Sequence, residues 1–576
     1  MVAPLPTGNS SLPHVVAGFD TIVSALDYAA LGDTGVSLFS SRGTLEHAIS
    51  YRELRHRAMQ AGLRLQGRGL SRGDRVVLVA ETSPEFLTFF YGCQYVGLVP
   101  CPVPYTAYVG GKDAYISRIS NLVSAASARI LCAPAKMAEI AAAATAECTE
   151  ATAITYEEVL GSQPSGAIEP FLADEMAYIQ FSSGSTSHPK GVPVTQKAIS
   201  SNVRGILREG MRLTPQDRAF SWLPLYHDMG LVGFSIAPLY GQCSVDNISA
   251  STFARRPHLW VDLMSRNGST ITYAPTFGYR LAAQRFSDPS NSIDLSRLRI
   301  AGIGGDMVRA DVLDRFSSVL EPAGFNPDAF TPSYGMAEST LLISVAHGVK
   351  TDMIDRDDFG ADRVAIPVAA GEPIDSGATR RFVICGRVLT GHELIVADDG
   401  RALPERHLGH IQIRGPSLMP GYFNAQSLTD AVMRADGFMD TGDMGYLVQG
   451  EVVITGRSKD MILHKGRNVW PEDLEWAAEK VAPLTDGDVA AFGVDLGNDD
   501  EEIILLVQAR SSGEEEMKDL RQRVAAAVSE AAGVSCKVVL VRPKTLTFTS
   551  SGKLSRSVAR DGYIAGTIDA IDSGTA

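Results

Sequence analysis

Close cysteine spacing is missing from this sequence. Cys93, Cys101, Cys132, Cys148, Cys243, Cys385 and Cys536 are scattered, odd in number and never set as CxxC. Zinc sites and disulfide frameworks both need tighter clustering. The thiols therefore read as reduced and mostly buried, as in a cytoplasmic protein. No run of about 18 uncharged apolar residues occurs, which speaks against a spanning helix and integral membrane association. Residues 1–13 lack a basic cluster followed by an apolar core, so they do not read as a signal peptide. A basic excess is also lacking. The net charge is −14, the wrong sign for a large nucleic-acid surface. Internal repeats are absent.

What remains is the composition of a folded globular protein, 45% hydrophobic and 20% charged. A chain of 576 residues exceeds one ordinary core, so two or more domains are expected. Arg75–Ala80 is a short apolar run with a buried-strand pattern. Ser83-Pro84-Glu85 then supplies a cap, a first-turn proline and an acid, and Phe86, Leu87, Phe89 and Phe90 give a helix its apolar face. Residues 99–103 return to strand. This is the strand–helix–strand unit of an α/β fold with mostly parallel sheets flanked by helices. Residues 176–181, 272–274 and 298–303 are similar runs ending in Gly, Ser or Pro loops, and ligands in such folds bind beyond the carboxyl ends of strands.

The end of the chain differs. Residues 488–494 and 502–508 read as strands around a turn at 497–500, followed by an amphipathic helix over Glu514–Ala532 and a strand over Lys537–Val541. This predicts a small α+β domain over 457–576, after a large domain over 1–456. Residues after Asp561 are small and polar and read as a loose tail.

The strongest local signal is Ser182-Ser183-Gly184-Ser185-Thr186-Ser187-His188-Pro189-Lys190-Gly191. Glycines let a backbone wrap an anion. Hydroxyls and exposed N–H groups supply donors to phosphate oxygens, and Lys190 adds positive charge. The Walker pattern GxxxxGK[ST] is absent. The segment resembles the nucleotide loop of the adenylate-forming superfamily, which includes acyl-CoA synthetases, luciferases and peptide-synthetase adenylation domains.

Further segments resemble that family's motifs in order, over roughly residues 20 to 560. In Trp222-Leu223-Pro224-Leu225-Tyr226-His227-Asp228-Met229-Gly230 the resemblance puts His227 beside the acyl carboxylate. Alone, a His-Asp pair is more often part of a packed loop, and no further ligands have metal spacing. Gly304, Gly305 and Asp306 would cover adenine. Ser333, Tyr334, Gly335, Met336 and Ala337 would line the nucleotide, with Tyr334 stacked on adenine. Ala337 stands where many members have Thr, which removes one hydroxyl from the α-phosphate. Glu338 would hold Mg²⁺, an ion suited to one carboxylate plus phosphate oxygens and waters. Asp443 would bind the ribose, Arg457 would lie near it, and Lys459 would be the hinge. Lys553, after Thr549-Ser550-Ser551-Gly552, corresponds to the catalytic lysine. A carboxylate attacking an already anionic α-phosphate needs such a cation. Tyr226, Met229, Phe277, Gly278 and Ile303 are the expected acyl-pocket residues, with Gly230 and Gly278 leaving room.

Several features resemble one branch, the fatty acyl-AMP ligases. They are Phe19-Asp20-Thr21, Gly386-Arg387, Ser417-Leu418-Met419, Gly466-Arg467-Asn468-Val469-Trp470-Pro471, Ala337 and an insertion over 349–380. That branch's insertion is linked to poor use of CoA and a restricted domain swing. The implied cofactors are ATP and Mg²⁺. The implied reaction turns a fatty acid into acyl-AMP, then passes the acyl group to the phosphopantetheine thiol of a holo acyl carrier protein, including those of polyketide or nonribosomal peptide synthases. Residues 537–560 hold Lys537, Arg542, Lys544, Lys553, Arg556 and Arg560 and no acid, so the exposed ones could dock an acidic carrier. The rivals are an acyl-CoA synthetase, an amino-acid adenylation domain and a non-catalytic adenylate sensor. Tyr226-His227-Asp228 does not clearly supply the acid that binds an amino acid's ammonium. Intact Lys553, Glu338 and phosphate loop disfavour the sensor. No GxSxG elbow supports a serine hydrolase.

Overall fold

The computed structural model describes residues 3–8, 12–105, 111–148, 150–182, 189–286, 293–356, 359, 363–368, 379–465, 467–495, 501–510, 513–548 and 553–571. Arg75–Ala80 and Val99–Pro104 run parallel, joined by the helix Pro84–Tyr95. Ser83 caps that helix by accepting the Phe86 N–H, and Pro84 opens its first turn. With Ile130–Ala133 and Thr152–Thr155 these strands form a wholly parallel four-stranded sheet. The helix Tyr51–Gln66 lies on Pro84–Tyr95 through small residues. A Cβ on Gly62 would come within 2.5 Å of the Gly92 carbonyl, so the close approach requires glycine there.

A second sheet has nine strands. Its centre is parallel and contains Phe330–Gly335, Ile300–Ile303, Ile271–Ala274, Arg218–Ser221, Ser244–Asn247 and Gly35–Phe39. Antiparallel strands close both edges. The loops after Ser221, Ala274, Ile303 and Gly335 open into one cleft, where ligands of parallel sheets are expected.

Two regions depart from the parallel reading. Met176–Ser182 pairs antiparallel with Lys190–Thr195, with Ser182 opposite Lys190. The short stretch between them cannot make a parallel crossover, which takes a dozen or more residues. The two strands therefore form a hairpin, and residues 183–188 between them lie outside the described residues. A third, five-stranded sheet is entirely antiparallel and includes Gly409–Arg414, Met439–Val448 and Glu451–Arg457. Its last turn has Gln449 and Gly450 both at positive φ (53° and 73°), the conformation of a tight two-residue hairpin turn.

The chain leaves that sheet at Arg457, makes one turn over Ser458–Asp460, and enters the small domain. There Val489–Asp495, Glu501–Gln508 and Lys537–Val541 form a sheet covered by the helices Pro471–Glu479 and Glu514–Ala532. The expected turn at 497–500 lies outside the described residues. The loose tail is corrected. The helix Arg556–Ile564 runs past Asp561, and the Ile571 N–H donates to the Leu540 carbonyl at 2.9 Å. Ile568 and Ile571 pack into the domain core and give these residues a reason to stay. Among the described residues no helix is long and apolar enough to cross a membrane.

The described part of 349–380 ties the two domains together. Thr351–Asp355 pairs with Thr379–Val383. Phe359 is buried with Phe382 and Tyr446 and stacks on Trp470 at 5.0 Å. Arg380 is buried, lies over the Phe382 and Trp470 rings at 4.2 and 4.9 Å, and contacts Asp473 at 3.0 Å without hydrogen-bonding geometry. Removing one member of a buried ion pair leaves the other uncompensated. Asp473→Ala should therefore cost about 3–5 kcal/mol, and Arg380→Met in the same chain should recover most of it. Thermal unfolding of both variants checks this; equal loss in the single and double variants would contradict it.

Candidate active site

The cleft between the domains is a cavity of about 840 Å³ lined from both sides. Lys553 reaches it from the small domain. Three residues on, Arg556 is gripped by carboxylates. Its Nε and Nη2 donate to Glu475 at 2.8 and 2.7 Å, and its Nη1 lies 2.8 Å from Glu472 and 3.4 Å from Asp460. Bidentate, charge-assisted bonds of this kind fix geometry as well as energy. They pin the segment that carries Lys553. Burial pulls the Lys553 pKa down and Arg457 adds to this, while Asp306, Asp228 and Asp443 favour its ammonium form.

His227 caps the short helix Asp228–Leu231. Its Nδ1 contacts the Asp228 carboxylate and accepts the Met229 N–H at 3.4 Å. Burial opposes the charge on Asp228, but His227, the Met229 N–H and Lys553 outweigh it and hold this carboxyl below its ordinary range. Asp306 follows the strand Ile300–Ile303 and accepts the Thr276 N–H at 2.9 Å. Burial raises its pKa. Gly305 sits at φ 82°, and a Cβ on Gly304 would lie 2.7 Å from the Ser333 carbonyl, so both glycines answer to backbone geometry.

Tyr334 ends its strand in the cleft and donates its hydroxyl to Asp443 at 2.7 Å, while Arg457 Nε stands 3.6 Å from the other Asp443 oxygen. Glu338 is buried and accepts the Tyr422 hydroxyl at 2.9 Å. Burial raises the Glu338 pKa. Lys190 lies over the Tyr422 ring at 5.1 Å. Lys459 lines the cleft within Ser458–Asp460, and burial lowers its pKa.

Ser333, Gly335, Met336 and Ala337 also line the cleft, as do Tyr226, Met229 and Phe277. Two expected pocket residues do not. Ile303 is wholly buried beneath the cleft. Gly278 is a packing glycine, since a Cβ there would meet Trp222 at 2.6 Å. Gly230 is likewise closed, with the Pro224 carbonyl at 2.3 Å. Ser183, Gly184, Ser185, Thr186 and the Ser182 side chain lie outside the described residues. Sequence reading missed Tyr422, Glu472 and Glu475. The turn at Gly421 (φ 149°) beside the Ser417-Leu418-Met419 segment was a signal for Tyr422; helical spacing of two acids in Pro471–Glu479 was one for the others.

A model of AMP-binding enzymes matches residues 35–423. The chain belongs to the AMP-binding enzyme family. A protein of Caulobacter vibrioides with the provisional name acyl-CoA synthetase is 44% identical over 560 residues, covering 96% of each chain. The medium-chain-fatty-acid–[acyl-carrier-protein] ligase JamA of Moorena producens is 30% identical over 576 residues, again 96% of each. A solved structure from work on fatty acyl-adenylate ligases of E. coli and L. pneumophila superposes with a TM-score of 0.91 at 37% identity, covering 96% of this chain and all of that one.

In this AMP-binding enzyme the far side of the cleft holds further cross-domain contacts. Arg280 pairs with Asp486, and Arg309 lies over the Trp476 ring at 4.8 Å. Between them, burial and the Asp486 and Glu475 charges push the Glu479 carboxyl up to about 8, with the Gly487 N–H and Arg309 opposing. A raised carboxyl pKa contributes stability that is complete below the unfolded value and is lost as pH rises through about 8. Glu479→Gln cannot ionise and keeps an acceptor for the Gly487 N–H. Its thermal midpoint should gain on the wild type from pH 5 to pH 8 and level off above. A constant difference across that range would refute the shift.

Proposed function

We propose that this enzyme uses ATP to convert a fatty acid into acyl-AMP and passes the acyl group to the phosphopantetheine thiol of an acyl carrier protein. The observation that carries the reading is an apolar arm of the cleft. It is lined by Ile206, Met211, Phe234, Tyr273 and Leu342. An acyl chain would lie in this arm with its carboxylate at His227. The carboxylate oxygen would attack the α-phosphorus, and pyrophosphate would leave. Lys553 would neutralise the incoming carboxylate and the phosphate as charge accumulates. Tyr334, Asp443 and Arg457 would hold adenosine.

Glu338 suits Mg²⁺. It is a single carboxylate whose burial disfavours its charge, and a bound divalent cation would relieve that cost. The ion would add charge neutralisation on the phosphates. In the second step the thiolate would attack the acyl carbon and AMP would leave, helped by proximity once the small domain turns about Lys459.

A carrier protein is favoured as acceptor by the likeness to JamA and by the contacts that 349–380 makes with the small domain. Lys537, Arg542 and Lys544 are exposed and are the docking residues in this reading; Lys553 and Arg556 face the cleft and are not. The second reading, CoA as acceptor, is favoured by the 44% identical relative.

Lys553→Ala should slow fatty-acid-dependent pyrophosphate release by about 10²-fold or more; a near-normal rate would remove Lys553 from the chemistry. Supplied separately with holo carrier protein and with CoA, the enzyme should form acyl-thioester on the carrier. Efficient acyl-CoA formation would favour the second reading. Reversing charge at Arg542 and Lys544 should slow transfer while leaving adenylation intact, and equal loss of both steps would reject this patch.

A further inference from the structure

Resting on the fatty-acid reading of the cleft, we infer that Gly233 sets the length of acyl chain the enzyme accepts. The helical segment that starts at His227 runs through a π turn over Val232–Ile236. Facing it, the helix Gln196–Gly205 ends in a second π turn over Ile206–Gly210. Such widened turns recur at functional sites because they push side chains and backbone out of the regular helical track. Both supply the apolar arm, the first with Gly233 and Phe234, the second with Ile206. Met229 and Gly233 are four residues apart, roughly 6 Å along the helical segment at about 1.5 Å per residue, and both line the cavity.

Gly233 lines the cavity and differs from three other glycines near the arm. A Cβ on Gly230 would strike the Pro224 carbonyl at 2.3 Å, one on Gly278 would strike Trp222 at 2.6 Å, and one on Gly302 would strike the Tyr273 ring at 2.0 Å. Those three are glycine because the neighbours leave no space. A Cβ on Gly233 would meet only the Leu341 Cδ2, at an ordinary contact distance of 3.6 Å. Its φ is not in the left-handed region. Neither packing nor backbone demands glycine there, yet the residue is buried and borders the cavity. The space left by the missing side chain belongs to the arm. Any larger residue would project across it and stop a chain at that depth.

The test is a series, Gly233→Ala, Gly233→Val and Gly233→Leu, in the full-length enzyme. Adenylation is measured as kcat/KM with ATP and each saturated acid from butyrate to palmitate. The ratio of long-acid to short-acid kcat/KM should fall stepwise with side-chain size, by roughly tenfold or more in the leucine variant. Gly233→Ala adds one methyl in a helix and guards against a misfolded larger variant. An unchanged chain-length profile, or an equal loss at every length throughout the series, overturns the inference. A wild-type enzyme that activates none of the acids defeats the fatty-acid reading instead, an outcome read before any variant is compared.

Discussion

An ammonium group enclosed between two domains is costly unless anions face it. Lys553 meets that requirement through Asp228 at the start of a short helix, Asp306 on the loop after Ile303, and Asp443 within the strand Met439–Val448. The site depends on this arrangement. The parallel sheet brings Asp228 and Asp306 beyond its strand ends, the antiparallel sheet adds Asp443, and the Arg556 grip on Glu472, Glu475 and Asp460 holds the segment from which the lysine arrives. Neither half makes an electrostatically balanced site by itself. The contacts of 349–380 and the Arg280–Asp486 pair hold the halves together from two further sides.

Most of the architecture was legible in the sequence, and the reasons are local. Ser83-Pro84 announces a helix start by removing or capping donors that would otherwise be orphaned. The apolar runs around residues 75–80 and 300–303 have the length of strands buried on both faces. Glu514–Ala532 was visible in full because its apolar stripe and its closing glycine at 533 agree. The five-stranded antiparallel sheet was not read, because half-buried strands with mixed polar residues look like loop until their partners are known. The tail was misjudged for a related reason. Two isoleucines at positions 568 and 571 decide its docking, and nothing nearby in sequence marks the sheet they pack on.

The site was legible as motifs but not as contacts. Tyr334 and Asp443 were each assigned to the nucleotide, yet their hydrogen bond joins residues far apart in the chain. Tyr422 and the Arg556 network act on Glu338 and Lys553 through space, and spacing along the chain carries no trace of that. The pocket glycines were misread for a physical reason. A sequence shows that a side chain is missing but not whether a ligand or a neighbouring ring fills the gap. At Gly278 and Gly230 a neighbour does.

The small domain has its own aliphatic core, in which Leu474, Ile503, Leu505, Val524 and Leu540 are fully or almost fully buried. Asp473, Asp486, Lys553 and Arg556 are therefore mounted on one stiff body attached to the rest by a single strand of chain. They cannot leave the cleft one at a time. A rotation of that body as a unit would withdraw the cation and break the Arg380 and Arg280 pairs in the same stroke. What would make that departure all-or-none is a set of aliphatic side chains that do not line the cleft.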